Sequence, residues 1–337
     1  MSTTAVVILN YNGEKLLRQF LPSVVQHSPG AMIVVADNGS TDNSIAVINN
    51  EFPGVKVISL EKNYGFCGGY NRALKVVEAD NFVLLNSDVE VTSGWLTALE
   101  EVLNTNAYIG AVQPKILSYT NRDHFEYAGA AGGFIDRLGY PFCRGRVFDK
   151  LEKDSHQYDD IRPVFWSSGA CMIIRAELYH RFGGLDEDFF AHMEEIDLCW
   201  KMQRAGYQVY YCGKSTVYHL GAGTLGYGSP TKTYLNFRNG LAMITKHFST
   251  AELLIKLPVR IILDWAAAMM FLIKGKTGNF RAVFRAHGAY LGAIGRILEK
   301  RRAIRSQYPV YPRDTVFKGF ILIESYLLGR EKLVINQ

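Results

Sequence analysis

Short apolar runs alternate with longer amphipathic segments along the first hundred residues of the chain. Four apolar runs have the length of buried strands, and they lie at residues 5–9, 32–36, 55–60 and 82–85. Four segments with a helical period follow them, at about residues 14–26, 42–50, 68–78 and 95–103. This alternation predicts right-handed crossovers and a mostly parallel sheet flanked by helices, which is the α/β fold class.

Polar loops follow three of the predicted strands, at Asn10–Asn12, Asp37–Asp42 and Asn86–Asp88. In parallel sheets, ligands bind outside the carboxyl ends of the strands, where such loops gather. Asn, Gly, Ser and Asp are also common turn formers, so each loop taken alone has a purely structural alternative. The three loops together predict a ligand site at this edge of the sheet.

The middle of the chain is less regular. Residues 118–165 contain several glycines and a run of mixed charge, which predicts a long surface excursion with one hairpin. Regular structure is expected to resume with an apolar strand at 170–174, a helix at 193–205 and a strand at 207–212.

The C-terminal part of the chain differs from the rest in its net charge and in the length of its apolar runs. Residues 231–337 carry a net charge of +12, whereas residues 1–230 carry −7. From Pro258 to Ile273 the chain is almost entirely apolar, and Lys256, Arg260 and Asp264 share one helical face. Because roughly 20 apolar residues are needed to span a bilayer, this stretch is too short to cross one.

A second amphipathic stretch, Asn279–Leu298, leads to a basic cluster at Lys300–Arg302. These features predict a helical region, 251–337, that makes peripheral contact with an anionic membrane. The alternative is a pair of helices packed on the α/β domain, which we expect at residues 1–250. Nucleic acid is not expected as a partner, because no binding module accompanies the charge.

The five cysteines include no Cys-x-x-Cys pair, and the first residues lack the basic and apolar regions of a signal peptide. We therefore expect free thiols, a reducing cytoplasmic compartment and no zinc site. Together with the basic region, this predicts a protein at the inner face of the cell membrane.

Seven segments in order resemble family 2 glycosyltransferases with the GT-A fold, across about residues 3–250. They are VVILNYN, VVADNGSTDNS, NYGFCGGYNRAL, LLNSDVEV, FFAHMEEIDLCWKMQRAGYQVYY, VYHLGAGT and KTYLNFRNGL. Within that family the pattern is similar to rhamnosyltransferase-type enzymes of surface polysaccharide assembly. The resemblance implies that residues 1–250 form a Rossmann-like catalytic domain that uses a nucleotide-sugar donor, to which the predicted helical region 251–337 adds a C-terminal extension.

For the donor nucleotide, the resemblance places Asp37 on the base, with Asn10 and Tyr11 beside it. A carboxylate can accept a hydrogen bond from the imide N–H of uracil or thymine. The alternative for Asp37 is a turn-forming role, and the two roles are compatible. The glycine-containing segment 63–71 is expected to lie against the donor through Asn63, Gly65, Gly68 and Asn71.

Asn86, Ser87 and Asp88 occupy the position of the family's DxD motif, with Asn in place of the first Asp. The resemblance implies that Asp88 binds Mg²⁺ or Mn²⁺, since hard cations prefer oxygen ligands. Asn86 would then contact ribose or sugar, and His219 would complete the metal site. The alternative for His219 is a hydrogen-bonded core or loop histidine.

An acidic cluster, Glu194, Glu195 and Asp197, matches the family's Glu-Asp-x-Asp-Leu pattern. The alignment places Glu195 at the catalytic base, with Glu194 as the other candidate. Asp197 is expected to be structural and to pair with Lys201. The alternative is an acidic helix N-terminus without catalysis.

The segment from Trp166 to Ala170 matches a family segment near the sugar and acceptor, which includes Gly169. Trp166 and Trp200 are candidate surfaces for stacking on a sugar, and for each the alternative is an ordinary core position.

The resulting hypothesis is an inverting, metal-dependent transferase that moves rhamnose or another hexose from a dTDP- or UDP-sugar to a lipid-linked saccharide. The rival from another class is a non-catalytic protein that binds nucleotide sugars or glycans. A processive synthase is disfavoured because no QxxRW motif occurs, and a nucleotidyltransferase because the start lacks a glycine-rich phosphate loop.

Overall fold

The computed structural model describes residues 2–127, 129–147, 150–221, 228–310 and 314–329. The last three residues of the segment VYHLGAGT, 222–224, lie outside the described residues. So do the last eight residues, 330–337, of the predicted C-terminal region.

The first third of the chain follows the predicted alternation. It contains β1 (Thr4–Asn10), α1 (Glu14–His27), β2 (Met32–Asp37), α2 (Ser44–Glu51), β3 (Lys56–Ser59), α3 (Gly65–Leu74), β4 (Asn81–Asn86), β5 (Val89–Val91) and α4 (Trp95–Asn104). The largest shift concerns α3, which begins three residues and ends four residues before the predicted helix. Its glycines, which disfavour helices, allow close packing instead, because a Cβ on Gly69 would lie 2.7 Å from Leu9.

The chain from residue 109 to residue 247 adds further strands and helices. They are β6 (Ile109–Ser118), β7 (Gly133–Ile135), β8 (Pro141–Cys143), β9 (Arg146–Val147), β10 (Lys150–Leu151), β11 (Ile161–Val164), β12 (Cys171–Arg175), α5 (Ala176–Arg181), α6 (Glu194–Arg204), β13 (Gln208–His219) and α7 (Pro230–His247). The single predicted hairpin is an underestimate, since β7 to β10 form a four-stranded antiparallel sheet. These strands of two or three residues are too short for a periodic signal.

The main sheet has the strand order β11-β13-β6-β12-β4-β1-β2-β3, and β5 pairs with β13. Strands β3, β2, β1 and β4 are mutually parallel, as are β6 and β13. Strand β12 lies antiparallel between β4 and β6. The predicted α/β class is confirmed, and the antiparallel β12 carries the segment 166–170 to the same edge of the sheet as the ends of β1 and β4.

Helices cover both faces of this sheet, and β1 shows why. Its side chains alternate, so that Val7 joins one buried cluster with Tyr70, while Val6 joins a second with Leu17 and Leu99. Fully burying such an aliphatic side chain contributes about 1.5–3 kcal/mol. The two clusters hold the strand ends rigidly at the edge where the polar loops lie.

The C-terminal region is helical as predicted, with α8 (Thr250–Ile273), α9 (Thr277–Gly292) and α10 (Ile294–Gln307). A capping box formed by Ser249 and Glu252 begins α8. Arg301 of α10 donates to the backbone oxygens of Thr245 and Phe248, so this region also packs on α7. Among the described helices, none combines the length and the apolar character required to cross a membrane.

The orientation of α8 differs from that of an ordinary surface helix. Its polar residues Arg260 and Asp264 are buried, and they contact the oxygen of Leu138 and the ring of His287, respectively. Exposed apolar residues at helical spacing form what we call the outer stripe of α8: Leu254, Ile262, Trp265, Met269 and Ile273. The helix therefore presents its apolar face to the surroundings and its polar face to the protein.

Candidate active site

The ends of three neighbouring strands bring the predicted nucleotide-binding residues together. Asn10 ends β1 and lies in register with Asp37, the last residue of β2. On the other side of β1, Asn86 ends β4 beside Leu9. Tyr11 follows Asn10 and is 40% exposed, so its ring is accessible at this edge.

Asp37 is buried and accepts two hydrogen bonds. Its Oδ1 accepts from Asn10 Nδ2 at 3.0 Å, and its Oδ2 accepts from the backbone N–H of Ser40 at 2.9 Å. The turn-forming role considered above is therefore present. Each carboxylate oxygen has two lone pairs, so Asp37 keeps the capacity to accept a further N–H group.

Two asparagines hold the glycine-containing segment in place. Asn63 Oδ1 accepts from the backbone N–H of Gly65, and Asn38 donates to the Gly65 oxygen at 3.0 Å. Gly65 has φ +72°, and a Cβ there would lie 2.6 Å from the ring of Phe190. Gly65 is thus required for both backbone conformation and close packing, and Gly68 lies one turn further along α3.

Asn71, whose contact with the donor stays a prediction, is hydrogen-bonded to the loop before α6. Its Nδ2 donates to the oxygen of Leu185, and its Oδ1 accepts from the N–H of Leu185 and the hydroxyl of Tyr179. These bonds fasten the loop before α6 onto α3.

Asp88 and His219 meet across the turn between β4 and β5, where Ser87 is half-buried. His219 ends β13 in register with Val89, and its Nε2 lies 3.1 Å from Asp88 Oδ1. Its Nδ1 lies 3.3 Å from Glu126. Burial opposes a charge on His219, yet its hydrogen bonds to both carboxylates outweigh burial and raise its pKa to about 10.

These residues fit a divalent cation that is shared with a substrate. Asp88 Oδ2 is buried and has no hydrogen-bond partner among the described residues. Within the described part of the chain, no three His, Cys, Asp or Glu side chains form a complete metal site. Magnesium is commonly held by one or two carboxylates together with substrate phosphates, which a single free carboxylate oxygen suits. Glu126 belongs to this cluster, and sequence reasoning missed it because it lies in the irregular segment.

Glu194 and Glu195 begin α6 as predicted. Burial raises the pKa of Glu195 to about 7, and burial together with the charge of Glu195 raises the pKa of Glu194 well above its usual value. In each residue, Oε2 is shielded from solvent and lacks a hydrogen-bond partner within the described ranges. A carboxylate in this state is suited to accept a proton near neutral pH.

The backbone that leads into α6 is unusual. Phe190, His192 and Met193 all have positive φ angles, of 65°, 69° and 75°. Such conformations cost about 1–3 kcal/mol each for residues other than glycine, and they persist only where the surroundings impose them.

Asn239, in the middle of α7, supplies that constraint. It is fully buried, and its Nδ2 lies 3.1, 2.9 and 2.8 Å from the oxygens of Phe189, Ala191 and His192. Arg238 donates to Asn239 Oδ1 and to the Phe189 oxygen. Neither residue was singled out from the sequence, although both lie in the segment KTYLNFRNGL.

Asp197 is structural, as expected. It lies 3.6 Å from Lys201, 2.7 Å from Lys246 and 2.9 Å from His247. Burial disfavours its charge, but these neighbours hold its pKa well below the usual value. The ion pair between Asp197 and Lys246 anchors α6 to α7.

The segment 166–170 passes between the strand ends and α6. The Ala170 oxygen accepts from the N–H of Asn86, and a Cβ on Gly169 would lie 4.0 Å from the Cβ of Glu195. The predicted stacking role of Trp200 is wrong, because the residue is 0% exposed and stacks on His247.

Trp166 is also largely covered. It is 5% exposed, and its Nε1 donates to the Phe134 oxygen. Trp166 therefore offers very little surface to a sugar. It occupies an ordinary core position, which was the alternative considered from the sequence.

Arg146 on β9 was not foreseen either. Its guanidinium lies 3.7 Å over the ring of Tyr127, and its Nε and Nη1 atoms are buried without an acceptor in the described residues. Buried N–H donors of this kind suit an anionic ligand.

The sequence model named Glycosyl transferase family 2 matches residues 5–180, which include the strand ends, Asp88 and the segment 166–170. The chain belongs to this family. A family 2 relative from Mycobacterium tuberculosis, N-acetylglucosaminyl-diphospho-decaprenol L-rhamnosyltransferase, is 27% identical over 240 residues, which cover 66% of this chain and 77% of the relative. Rhamnosyltransferase WbbL of Escherichia coli is 23% identical over 213 residues, covering 61% and 79%.

A solved structure supports the fold of this family 2 glycosyltransferase. Mannosyltransferase PcManGT from Pyrobaculum calidifontis, solved with GDP-Man and Mn²⁺, superimposes with a TM-score of 0.54 at 14% identity. The match covers 92% of this chain and 84% of the mannosyltransferase. The expected GT-A architecture is confirmed, and the chain is a glycosyltransferase similar to rhamnosyltransferases.

Proposed function

We propose that this glycosyltransferase inverts the anomeric centre of a nucleotide-activated hexose while transferring it to a lipid-linked saccharide, in the assembly of a cell-surface polysaccharide. The observation that carries the proposal is Glu195, a shielded carboxyl with a pKa of about 7, placed opposite Gly169 at the strand-end edge. A base in that position can serve an acceptor hydroxyl near neutral pH.

The donor would lie along the carboxyl ends of β1, β2 and β4. Asp37 would accept from the imide N–H of uracil or thymine, and Asn10 and Tyr11 would flank the base. Gly65 and Gly68, at the start of α3, would allow the backbone to approach the ligand. Asn63 holds that backbone through Gly65.

The diphosphate would be neutralised by a divalent cation, Mg²⁺ or Mn²⁺. The free Oδ2 of Asp88 supports this role, with His219 and Asn86 beside it. When bound, the cation would offset negative charge on the leaving nucleoside diphosphate. The buried donors of Arg146 would add to this positive environment.

The transfer reaction is then a single displacement at the anomeric carbon. The acceptor hydroxyl oxygen forms a bond to the anomeric carbon on the face opposite the diphosphate, and the bond to the diphosphate breaks. The hydroxyl proton passes to Glu195, and the leaving group departs with the electron pair. Glu194, whose pKa is raised well above its usual value by burial and by the charge of Glu195, lies next to this base in α6.

The acceptor is proposed to be lipid-linked, at the inner face of the membrane. The Mycobacterium tuberculosis relative carries a diphospho-decaprenol substrate in its name. The outer stripe of α8 supports membrane contact, because exposed apolar side chains favour burial in the interface. Exposed basic residues follow that helix and can contact anionic headgroups: Lys274, Lys276, Arg281 and Arg285.

A donor screen tests this proposal. UDP-, dTDP- and GDP-sugars would be incubated with the protein and a short lipid-diphosphate saccharide, with Mg²⁺, Mn²⁺ or EDTA. Release of nucleoside diphosphate from a dTDP- or UDP-hexose, dependent on metal and acceptor, is expected. The anomeric configuration of the product, read by NMR, should be opposite to that of the donor; retention would reject the single displacement.

A further inference from the structure

A groove of about 1010 Å³ lies between α8 and the segment 316–323. Its two walls are mainly apolar. Ile255, Val259 and Leu263 of α8 form one wall, and Phe317, Phe320 and Leu322 contribute to the other. The groove has a volume and an apolar lining that suit a hydrocarbon chain.

Basic side chains accompany the apolar walls. Arg137, Lys256 and Lys318 also line the groove. Among the described lining residues, Glu252 is the one carboxylate, and it pairs with Lys256 at 2.8 Å. The local charge is therefore positive, which complements an anionic headgroup rather than a neutral one.

One wall of the groove, the segment 316–323, is hydrogen-bonded to the end of β7. The N–H of Phe317 donates to the oxygen of Ile135 at 2.8 Å, and that of Ile321 donates to Asp136 at 3.1 Å. At the other end of β7, the N–H of Gly133 donates to the oxygen of Trp166, where the segment facing Glu195 begins. One short strand thus connects the groove with the acceptor side of the active site.

The groove is also continuous with the exposed surface of α8. Ile255 lines the groove and is 70% exposed, and its neighbour Leu254, on the outer stripe, is 74% exposed. A chain that enters from a bilayer covering the outer stripe can pass directly between α8 and the segment 316–323.

We propose that this groove binds the isoprenoid chain of the lipid-linked acceptor, with the acceptor's diphosphate near Arg137, Lys256 and Lys318. The proposal rests on the proposed function for the nature of the acceptor. The apolar walls bury the chain, the cations neutralise the diphosphate, and β7 places the attached sugar on the side of the protein where Gly169 faces Glu195.

Farnesyl diphosphate, a short soluble isoprenoid diphosphate, tests the groove by isothermal titration. Saturating UDP and dTDP are included to occupy the nucleotide site. Ile255→Glu should weaken binding about tenfold or more, because it places a carboxylate against the chain. The matched control Leu254→Glu, one residue away and equally exposed, should change binding less than about twofold.

A second pair of measurements tests the charge. Lys318→Glu should weaken farnesyl diphosphate binding about fivefold or more, while farnesol, which lacks phosphate, should bind unchanged. Asp88→Asn should leave farnesyl diphosphate binding intact while it removes donor turnover. Failure of the groove proposal is thereby distinguished from failure of the proposed function.

Three results would overturn the proposal. They are no binding of farnesyl diphosphate to the unmodified protein, equal losses in Ile255→Glu and Leu254→Glu, or no loss in Ile255→Glu. The last result would assign any binding to a surface other than this groove.

Discussion

The side-chain amide of Asn239 lies 2.8 Å from the backbone oxygen of His192, 47 residues earlier in the chain. His192 has a left-handed backbone conformation and stands two residues before Glu194. The relationship shows that α7, outside the span of the strand-end motifs, determines how the chain enters the helix that carries the acidic pair.

Removing this amide should impair catalysis more than donor binding. In Asn239→Ala, the backbone oxygens of Phe189, Ala191 and His192 lose this side-chain donor, and the acidic pair shifts by a fraction of an ångström or more. We expect kcat to fall about tenfold to hundredfold, while the donor Kd measured by titration changes little. A loss confined to donor affinity would contradict the positioning role.

Two further variants sharpen that test. Asn239→Asp keeps the shape but replaces the donating amide with an acceptor, so it should be at least as damaging as alanine. Asn236→Ala, the same change at a half-buried position of the same helix, is the matched control and should retain nearly normal kcat.

Asp88 should be essential for metal-dependent turnover. Asp88→Asn removes the charge of a carboxylate whose buried Oδ2 has no hydrogen-bond partner among the described residues, and we expect a loss of about a hundredfold or more in nucleotide release. Asp80→Asn, at the opposite end of β4, is the control and should remain active. Full metal-dependent activity in Asp88→Asn would exclude the metal role.

The acidic pair should control the pH dependence of the reaction. Because burial raises the pKa of Glu195 to about 7, the base is protonated below that pH and ionised above it. The value of kcat should therefore increase as pH rises through about 7 and then level off.

Substitution identifies which member of the pair is the base. Glu195→Gln should lower kcat about a hundredfold or more and remove the step near pH 7, while donor binding survives. Glu194→Gln should retain the step near pH 7, because burial, which raises the pKa of Glu195, is left unchanged. The opposite pattern would assign the base to Glu194.

The outer stripe of α8 should govern membrane association. Ile262→Glu combined with Ile273→Glu places charges on an exposed apolar face, so the protein should be released from vesicles that contain phosphatidylglycerol. Flotation of the variant would measure the loss. Val76→Glu, an equally simple change at an exposed apolar residue of the catalytic half, should float like the unmodified protein; equal flotation of all three proteins would refute the stripe as a membrane surface.

Much of the active-site edge could be predicted because it depends on local patterns. The alternating apolar runs locate β1, β2 and β4, and polar residues directly after them must gather where parallel strands end together. Asn10, Asp37 and Asn86 needed no knowledge of distant contacts. The departures from the family motifs at Asn86 and Glu195 were likewise visible in the sequence.

Other features depended on contacts between distant segments. Glu126 joins His219 only because β13 runs beside β6, and the Asn239 contacts exist only because α7 packs against the loop before α6. An aromatic residue on an amphipathic helix can face a ligand or the core with the same spacing, so Trp200 could not be assigned before its contact with His247 was known.

Helix α8 separates what the sequence determines from what only tertiary contacts determine. The sequence by itself determined that α8 has a polar and an apolar face, since side-chain spacing settles amphipathicity. Only the tertiary structure decided which face turns inward, because buried partners for Arg260 and Asp264, at Leu138 and His287, stabilise the polar side against the protein. Spacing defines the faces of a helix, and the neighbours that satisfy its polar groups decide which one is exposed.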